Sequence, residues 1–257
     1  MSIEIDPWTP ELIMYWSKFQ EDLAEPVRKG TLEILDEGLT REKFLELVAN
    51  AYVLADDAAN TPPDGGMPVV CRAGCNYCCD ESVQTSPPEV LALAEYLRAT
   101  LTPEGLEKVK RNVRRVDKQT HKMSDNARVR ARVGCPLLVE ARCSVYSMRP
   151  FTCRGYNSGD VGACRLRRGH PGRVVPQDPW RMSCQSGVAT GLLRGLAGRG
   201  LENDLLELIS ALRIALEMPD ATDRWLAGEH IFAAARWDDR NPKHAEAIRW
   251  YEQMKAA

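Results

Sequence analysis

Over the first sixty residues, apolar positions recur at intervals of three and four, the period of a helix with one buried face. Leu12, Ile13, Trp16, Phe19 and Leu23 share one side of a first helix, opened by Thr9-Pro10 as N-cap and first-turn proline and expected to stop at Pro26 or Gly30. A second helix is expected from Thr40, with Phe44, Leu47, Val48, Ala51, Tyr52 and Ala55 as its buried stripe. The run from Asn60 to Met67 (NTPPDGGM) breaks the pattern. Ser86-Pro87-Pro88-Glu89 then reads as a capping box, serine accepting from a first-turn N–H while glutamate reaches back, ahead of the apolar face Val90, Leu91, Leu93, Ala94 and Leu97. Thr102-Pro103-Glu104 opens a further helix whose narrow stripe is Leu106, Val109, Val113 and Val116. From Gly134 to Trp180 helical periodicity is lost and Cys, Gly, Pro and Arg accumulate, which predicts irregular loops held by something other than a hydrophobic core. Helices are expected again near Ser186, over Leu201 to Glu217, after Pro219 and after Asn241-Pro242. No alternation of strand and helix and no internal repeat is visible.

The pattern predicts a mostly α fold, with helices flanking an irregular cysteine-rich centre. Three segments are expected to pack as one unit: 1–66, helical; 67–185, holding the cysteines; and 186–257, helical. At 257 residues the chain is long enough for a real core, and 44% hydrophobic with 27% charged residues excludes wholesale disorder. The net charge of −2 exerts no global pull toward polyanions. The charge is nevertheless uneven. Ten Lys or Arg lie between Lys108 and Arg132 against Asp117 and Asp125, and seven Arg lie between Arg142 and Arg173 against Asp160 alone. The segment 108–132 reads as a solvated helix face that could meet an acidic protein partner; without interleaved aromatic residues it is not expected to bind nucleic acid. No secretion signal and no bilayer-length apolar run is seen, so no membrane association and a cytoplasmic location are expected, where thiols stay reduced.

That compartment governs how nine cysteines are read: Cys71, Cys75, Cys78, Cys79, Cys135, Cys143, Cys153, Cys164 and Cys184. The number is odd and the chain is long, so metal binding or redox chemistry fits better than disulfides. Cys71-Arg-Ala-Gly-Cys75-Asn-Tyr-Cys78-Cys79 spaces thiolates so that a tight loop turns them onto a common ion, eased by Gly74. The adjacent side chains of Cys78 and Cys79 tend to diverge and could serve two metals. A second cluster runs Gly134-Cys135-Pro136-Leu137-Leu138, then Cys143 to Tyr146 (CSVY), then Arg149-Pro150-Phe151-Thr152-Cys153-Arg154. Four thiolates on a divalent ion leave a net negative charge, and Arg149 and Arg154 are placed to balance it and to favour the thiolate forms. His170, near Cys164, is a further candidate ligand.

Cys-x-x-x-Cys-x-x-Cys-Cys followed by Cys-Pro-Leu-Leu, Cys-Ser-Val-Tyr and Arg-Pro-x-x-Cys-Arg resembles the YkgJ-type cysteine-cluster family, described as zinc- or iron-chelating. The resemblance covers Val70 to about Tyr156 and implies the seven cysteines from Cys71 to Cys153 as ligands, with Cys164 and Cys184 beyond the core motif. It departs from the family's short description in its first gap, which holds three residues rather than two. Zinc or iron, including an iron–sulfur cluster, is the implied cofactor. Relatives of that family include flagellin lysine methylases, which implies as one alternative an iron–sulfur enzyme of methyl-transfer or protein-modifying type; the other alternative is a zinc-stabilised interaction module whose basic helix meets a partner. No separate nucleotide-binding motif accompanies the cysteines. Cys71 to Cys78 also matches the cluster loop of radical S-adenosylmethionine enzymes, but the repeated strands of their barrel do not follow.

Overall fold

A computed structural model gives the fold and describes residues 10–63 and 66–237. Its architecture is mostly α, with ten α-helices and four two-residue strands among the described residues. Helix α1 (Pro10–Asp36) does not stop at Pro26 or Gly30; it runs through both. An interior proline costs about 3 kcal/mol through its missing N–H and ring clash. Packing along α8 (Pro179–Ala197) offsets that cost. Gly187, Gly191 and Gly195 of α8 let the two backbones meet so closely that a Cβ on Gly191 would lie 2.4 Å from the Ala24 carbonyl oxygen. Local periodicity could not show this, because the contact is made by a helix more than 150 residues away.

Helix α2 (Arg41–Ala59) starts as expected, with Thr40 accepting from the Lys43 N–H, and buries the anticipated stripe from Phe44 to Ala55. Strand β1 (Gln84–Thr85) precedes α3 (Pro87–Thr100), which is buried from Pro87 to Ala94 without a break and is therefore a central helix rather than an amphipathic one. The capping box takes a different form. Ser86 makes no side-chain bond to the first-turn N–H groups; its hydroxyl donates to Glu89 Oε2 at 2.6 Å. Glu89 also accepts from Thr85 Oγ1 and from the Phe151 N–H at 2.7 Å, so it ties α3 to the cysteine-rich segment.

Helix α4 (Pro103–Thr120) is capped by Thr102, and α5 (Asp125–Ala131), which periodicity did not reveal, is capped by Ser124. Helix α8 starts seven residues before Ser186, where Asp178 accepts from the Trp180 N–H. The stretch Leu201 to Glu217 is only half helical: β4 (Leu206–Glu207) pairs antiparallel with β1, and α9 (Leu208–Glu217) follows, with Glu207 accepting from the Ser210 N–H. Glu207 also meets Arg128 of α5 at 3.0 Å with both side chains buried. Helix α10 (Ala221–Leu226) follows Pro219 and brings Trp225 against Phe44, centroids 5.2 Å apart. The helix expected after Asn241-Pro242 and the Thr9 cap lie outside the described residues. Among those residues no helix is long and apolar enough to cross a membrane.

Candidate metal centre

Residues 66–79, which carry the first four cysteines, include no buried residue. No residue of this loop joins the hydrophobic core. Its shape comes from turns and two main-chain tethers. Gly74 has φ +91°, a left-handed conformation that suits glycine and confirms the turn expected there. The Cys75 N–H donates to the Arg72 carbonyl at 3.0 Å and the Cys79 N–H to the Asn76 carbonyl at 3.1 Å. Val70 N–H donates to Ser158 O at 2.9 Å, and Cys135 N–H to Cys79 O at 2.7 Å, so the loop is stitched to both later cysteine segments.

The second cysteine segment is more ordered than its composition implied. Strands β2 (Leu138–Val139) and β3 (Arg142–Cys143) form a hairpin in which Leu138 faces Cys143. Its two turn residues, Glu140 (φ 49°) and Ala141 (φ 62°), both have positive φ, the geometry of a type I′ turn. After a 3₁₀ turn, Tyr146–Met148, come α6 (Phe151–Gly155) with Cys153 and α7 (Val161–Arg167) with Cys164. Helices of five and seven residues are too short to display a period, which is why the sequence reads there as loop.

Each cysteine's electrostatic surroundings show which thiols are neighbours. The Cys78 thiol is pulled down by a hydrogen bond from the Cys79 thiol, which is itself pushed up by the same bond and by burial. Burial pushes Cys135 up to about 11, opposed by a bond from the Leu137 N–H, and raises Cys143, opposed by the Val145 N–H. Burial raises Cys153 well above its ordinary value; repulsion from Cys78, Cys135 and Cys143 adds to this, and Arg149 opposes it. Burial also raises Cys71, opposed by the Ser158 N–H, and Cys164, opposed by the Ser158 hydroxyl. Cys71 and Cys164 both feel Cys75 and Cys78. Eight cysteines therefore form one connected group. Cys184 stands apart: it is fully buried in α8, raised by burial to about 11, and its charged neighbours are Asp178 and Arg181. His170 lies exposed in the turn after α7 and is in no compact group of candidate ligands among the described residues.

The two arginines singled out in the sequence have different placements. Arg149 lies within electrostatic reach of Cys78, Cys143 and Cys153, and its Nη1 donates to the Cys153 carbonyl at 3.4 Å. Arg154 turns away from the sulfurs. It pairs with Asp56 of α2, donates to the Ser147 carbonyl and to the Arg149 carbonyl at 2.7 Å, and stacks on Tyr52 with its guanidinium 4.2 Å from the ring centre.

The donor set suits a thiophilic ion such as zinc or iron. Tetrahedral zinc, with Zn–S of about 2.3 Å, holds its sulfurs about 3.8 Å apart. Among the described residues no three cysteine sulfurs lie within 4.8 Å of one another, so the loops must draw in around an ion. The compact oxygen and nitrogen group that does meet this distance, Glu202, Asp204 and His230, was not anticipated in the sequence. Its two carboxylates already have partners: Glu202 accepts from the Ile231 and Phe232 N–H groups, and Asp204 pairs with Arg236.

A cavity of about 430 Å³ lies beside α6, the helix that carries Cys153. Thr152, Gly155 and Tyr156, on or beside α6, form one wall, and Glu89, Gln185 and Thr190 lie among the residues opposite. No cysteine lines the cavity, although Tyr156, which does, also feels Cys78 and Cys164.

Residues 70–167 match the model of the CxxCxxCC family, described as a putative zinc- or iron-chelating domain. All eight grouped cysteines fall inside that span, and Cys184 falls outside it. No curated protein matches the chain, and no solved structure matches it.

Proposed function

From the match of residues 70–167 to a zinc- or iron-chelating domain, we propose that the eight cysteines from Cys71 to Cys164 bind zinc or iron and that the bound metal organises the middle of the chain. The observation that carries this reading is the coincidence of eight neighbouring thiols with a fourteen-residue stretch, 66–79, in which no residue is fully buried. A loop without a core must be ordered by cross-links, and thiolate–metal bonds supply them. Arg149 supplies positive charge where the thiolates concentrate, and the N–H groups of Leu137 and Val145 donate to two of the sulfurs.

Anaerobic purification followed by metal analysis and an absorption spectrum tests the reading and separates its two forms. Colourless protein with stoichiometric zinc indicates closed tetrathiolate coordination. Brown protein with iron, sulfide and broad visible absorption indicates an iron–sulfur cluster. Protein without either metal sinks the reading.

The cavity beside α6 favours a second reading, an enzyme whose substrate sits against the metal centre. Its methyl-transfer form requires S-adenosylmethionine to bind, and a flat calorimetric titration of metal-loaded protein would exclude it. Lys108, Arg111, Arg115, Lys118 and Lys122 are exposed along and just beyond α4 and would suit an acidic protein partner. Lys110 and Arg114 already pair with Glu107 and Glu217. Reversing the charge at Arg111, Arg115 and Lys118 should abolish retention on an acidic polyglutamate matrix; unchanged retention argues against such a partner.

A further inference from the structure

Eight thiols are twice what one tetrahedral ion takes, and their positions divide them. We propose that the centre comprises two tetrathiolate sites side by side, one built from Cys71, Cys75, Cys78 and Cys164, the other from Cys79, Cys135, Cys143 and Cys153. This rests on the metal-binding reading above and assigns its ligands.

The first set is held by α7. Fully buried Ser158 links the two ends of the set: its N–H donates to the Cys71 sulfur and its hydroxyl lies in hydrogen-bond reach of the Cys164 sulfur. Arg167 meets Glu81 at 2.8 Å and Arg168 meets Asp80 at 3.0 Å, clamping the end of α7 to the residues just after Cys79. Ser158 O also receives the Val70 N–H at 2.9 Å, immediately before Cys71. Cys164 is thus carried to the first loop by three separate contacts, although 85 positions separate it from Cys79.

The second set is held by the hairpin and α6. Cys135 N–H donates to Cys79 O at 2.7 Å, and β2–β3 pairing sets Cys143 opposite Leu138. The N–H two residues after each of Cys135 and Cys143 donates to its sulfur, a turn that aims both sulfurs the same way relative to their own backbone. Arg149 sits by Cys143 and Cys153, and by Cys78 where the two sets meet. The strongest thiol neighbours follow the same division. Those of Cys71 and Cys164 come from the first loop, with Cys164 also beside Cys71, and Cys79, Cys135, Cys143 and Cys153 neighbour one another, while Cys78 faces both groups and is the foremost thiol neighbour of Cys143 and Cys153. Cys78 and Cys79 stand at the seam, hydrogen-bonded to each other and belonging to opposite sides. The cysteine doublet therefore has a reason: one chain position cannot serve two ions terminally, and two adjacent ones can.

The test uses the full chain and zinc alone. Wild-type protein, stripped of metal and titrated anaerobically, should bind two equivalents. Cys164→Ser and Cys135→Ser should each keep one, and the double variant none. Where a serine variant fails to fold, the wild type decides. At one equivalent of zinc, exhaustive alkylation and intact-mass measurement should show molecules with four of the eight thiols protected. Species with only none or all eight protected would establish a single shared cluster and overturn the two-site assignment while leaving metal binding intact. A wild-type chain that takes up neither zinc nor iron overturns both.

Discussion

Arg154 is the residue on which the position of Cys153 depends most, and its replacement gives a sharp expectation. The guanidinium makes three directed contacts, to Asp56, to the Ser147 carbonyl and to the Arg149 carbonyl, and covers Tyr52. The Arg154 side chain is 7% exposed and that of Asp56 is 40% exposed. Hydrogen bonds to a charged group contribute about 1.5–3 kcal/mol each. A lysine at this position reaches one of the three acceptors and cannot stack as a plane, so Arg154→Lys forfeits two bonds, about 3 kcal/mol at the lower figure. Arg154→Met forfeits all three, but half-exposed Asp56 regains water and keeps the Gln185 amide at 2.9 Å. That limits its loss to about 3–4 kcal/mol, the lower part of the range for breaking a buried pair. Because α6 is a single turn and a half, its displacement moves the Cys153 sulfur, and zinc affinity should fall about 10–100-fold, as when other supporting groups of metal ligands are removed. Urea unfolding of metal-loaded protein and competition with a chromophoric chelator measure the two effects. A stability loss below about 1 kcal/mol in both variants, or full stability loss with unchanged zinc affinity, would refute the view that Arg154 positions the ligand helix.

Glu140→Asn with Ala141→Gly should stabilise the protein by about 1 kcal/mol in urea unfolding, since both turn residues hold a left-handed conformation that costs ordinary residues about 1–2 kcal/mol; no gain would mean the hairpin is not in this turn. Burial raises the Glu89 carboxyl above its ordinary value. The folded protein therefore holds that proton more tightly than the unfolded chain, and the group's contribution declines as pH rises from its unfolded value of about 4.3 toward its folded one. Unfolding midpoints of Glu89→Gln relative to wild type should then shift in the variant's favour as pH rises from about 4; a difference that does not move with pH contradicts this. Gly74→Ala should weaken metal uptake because φ +91° is strained for any residue with a Cβ, while Gly172, which is not in that conformation, should tolerate alanine; equal effects at the two glycines would remove the argument.

Much of this was legible in the chain. The cap at Thr40 and the stripe from Phe44 to Ala55 were readable because helix α2 satisfies its own periodicity before any tertiary contact forms. The cysteine spacings indicated a chelating centre, and the structure brings together seven cysteines named by the motif with Cys164 beyond it. What escaped was non-local. The passage of α1 through Pro26 depends on α8, and the role of Glu89 depends on an N–H 62 positions later. The different placements of Arg149 and Arg154 were invisible because both sit beside the same ligand in sequence, and the direction Arg154 faces is decided by Asp56 and Tyr52 on a distant helix. The separation of Cys184 has the same origin: its place in α8 is set by packing against α1, and composition alone counted it with the rest.

The most direct test of the central claim is native mass spectrometry of the intact chain purified without oxygen. The account predicts a mass above that of the bare polypeptide by bound zinc or iron, lost when Cys78 and Cys79 are both replaced by serine and kept when Cys184 is. A wild-type mass equal to that of the bare chain, with the eight thiols from Cys71 to Cys164 as reactive toward alkylation after zinc or iron is supplied as before, would contradict it.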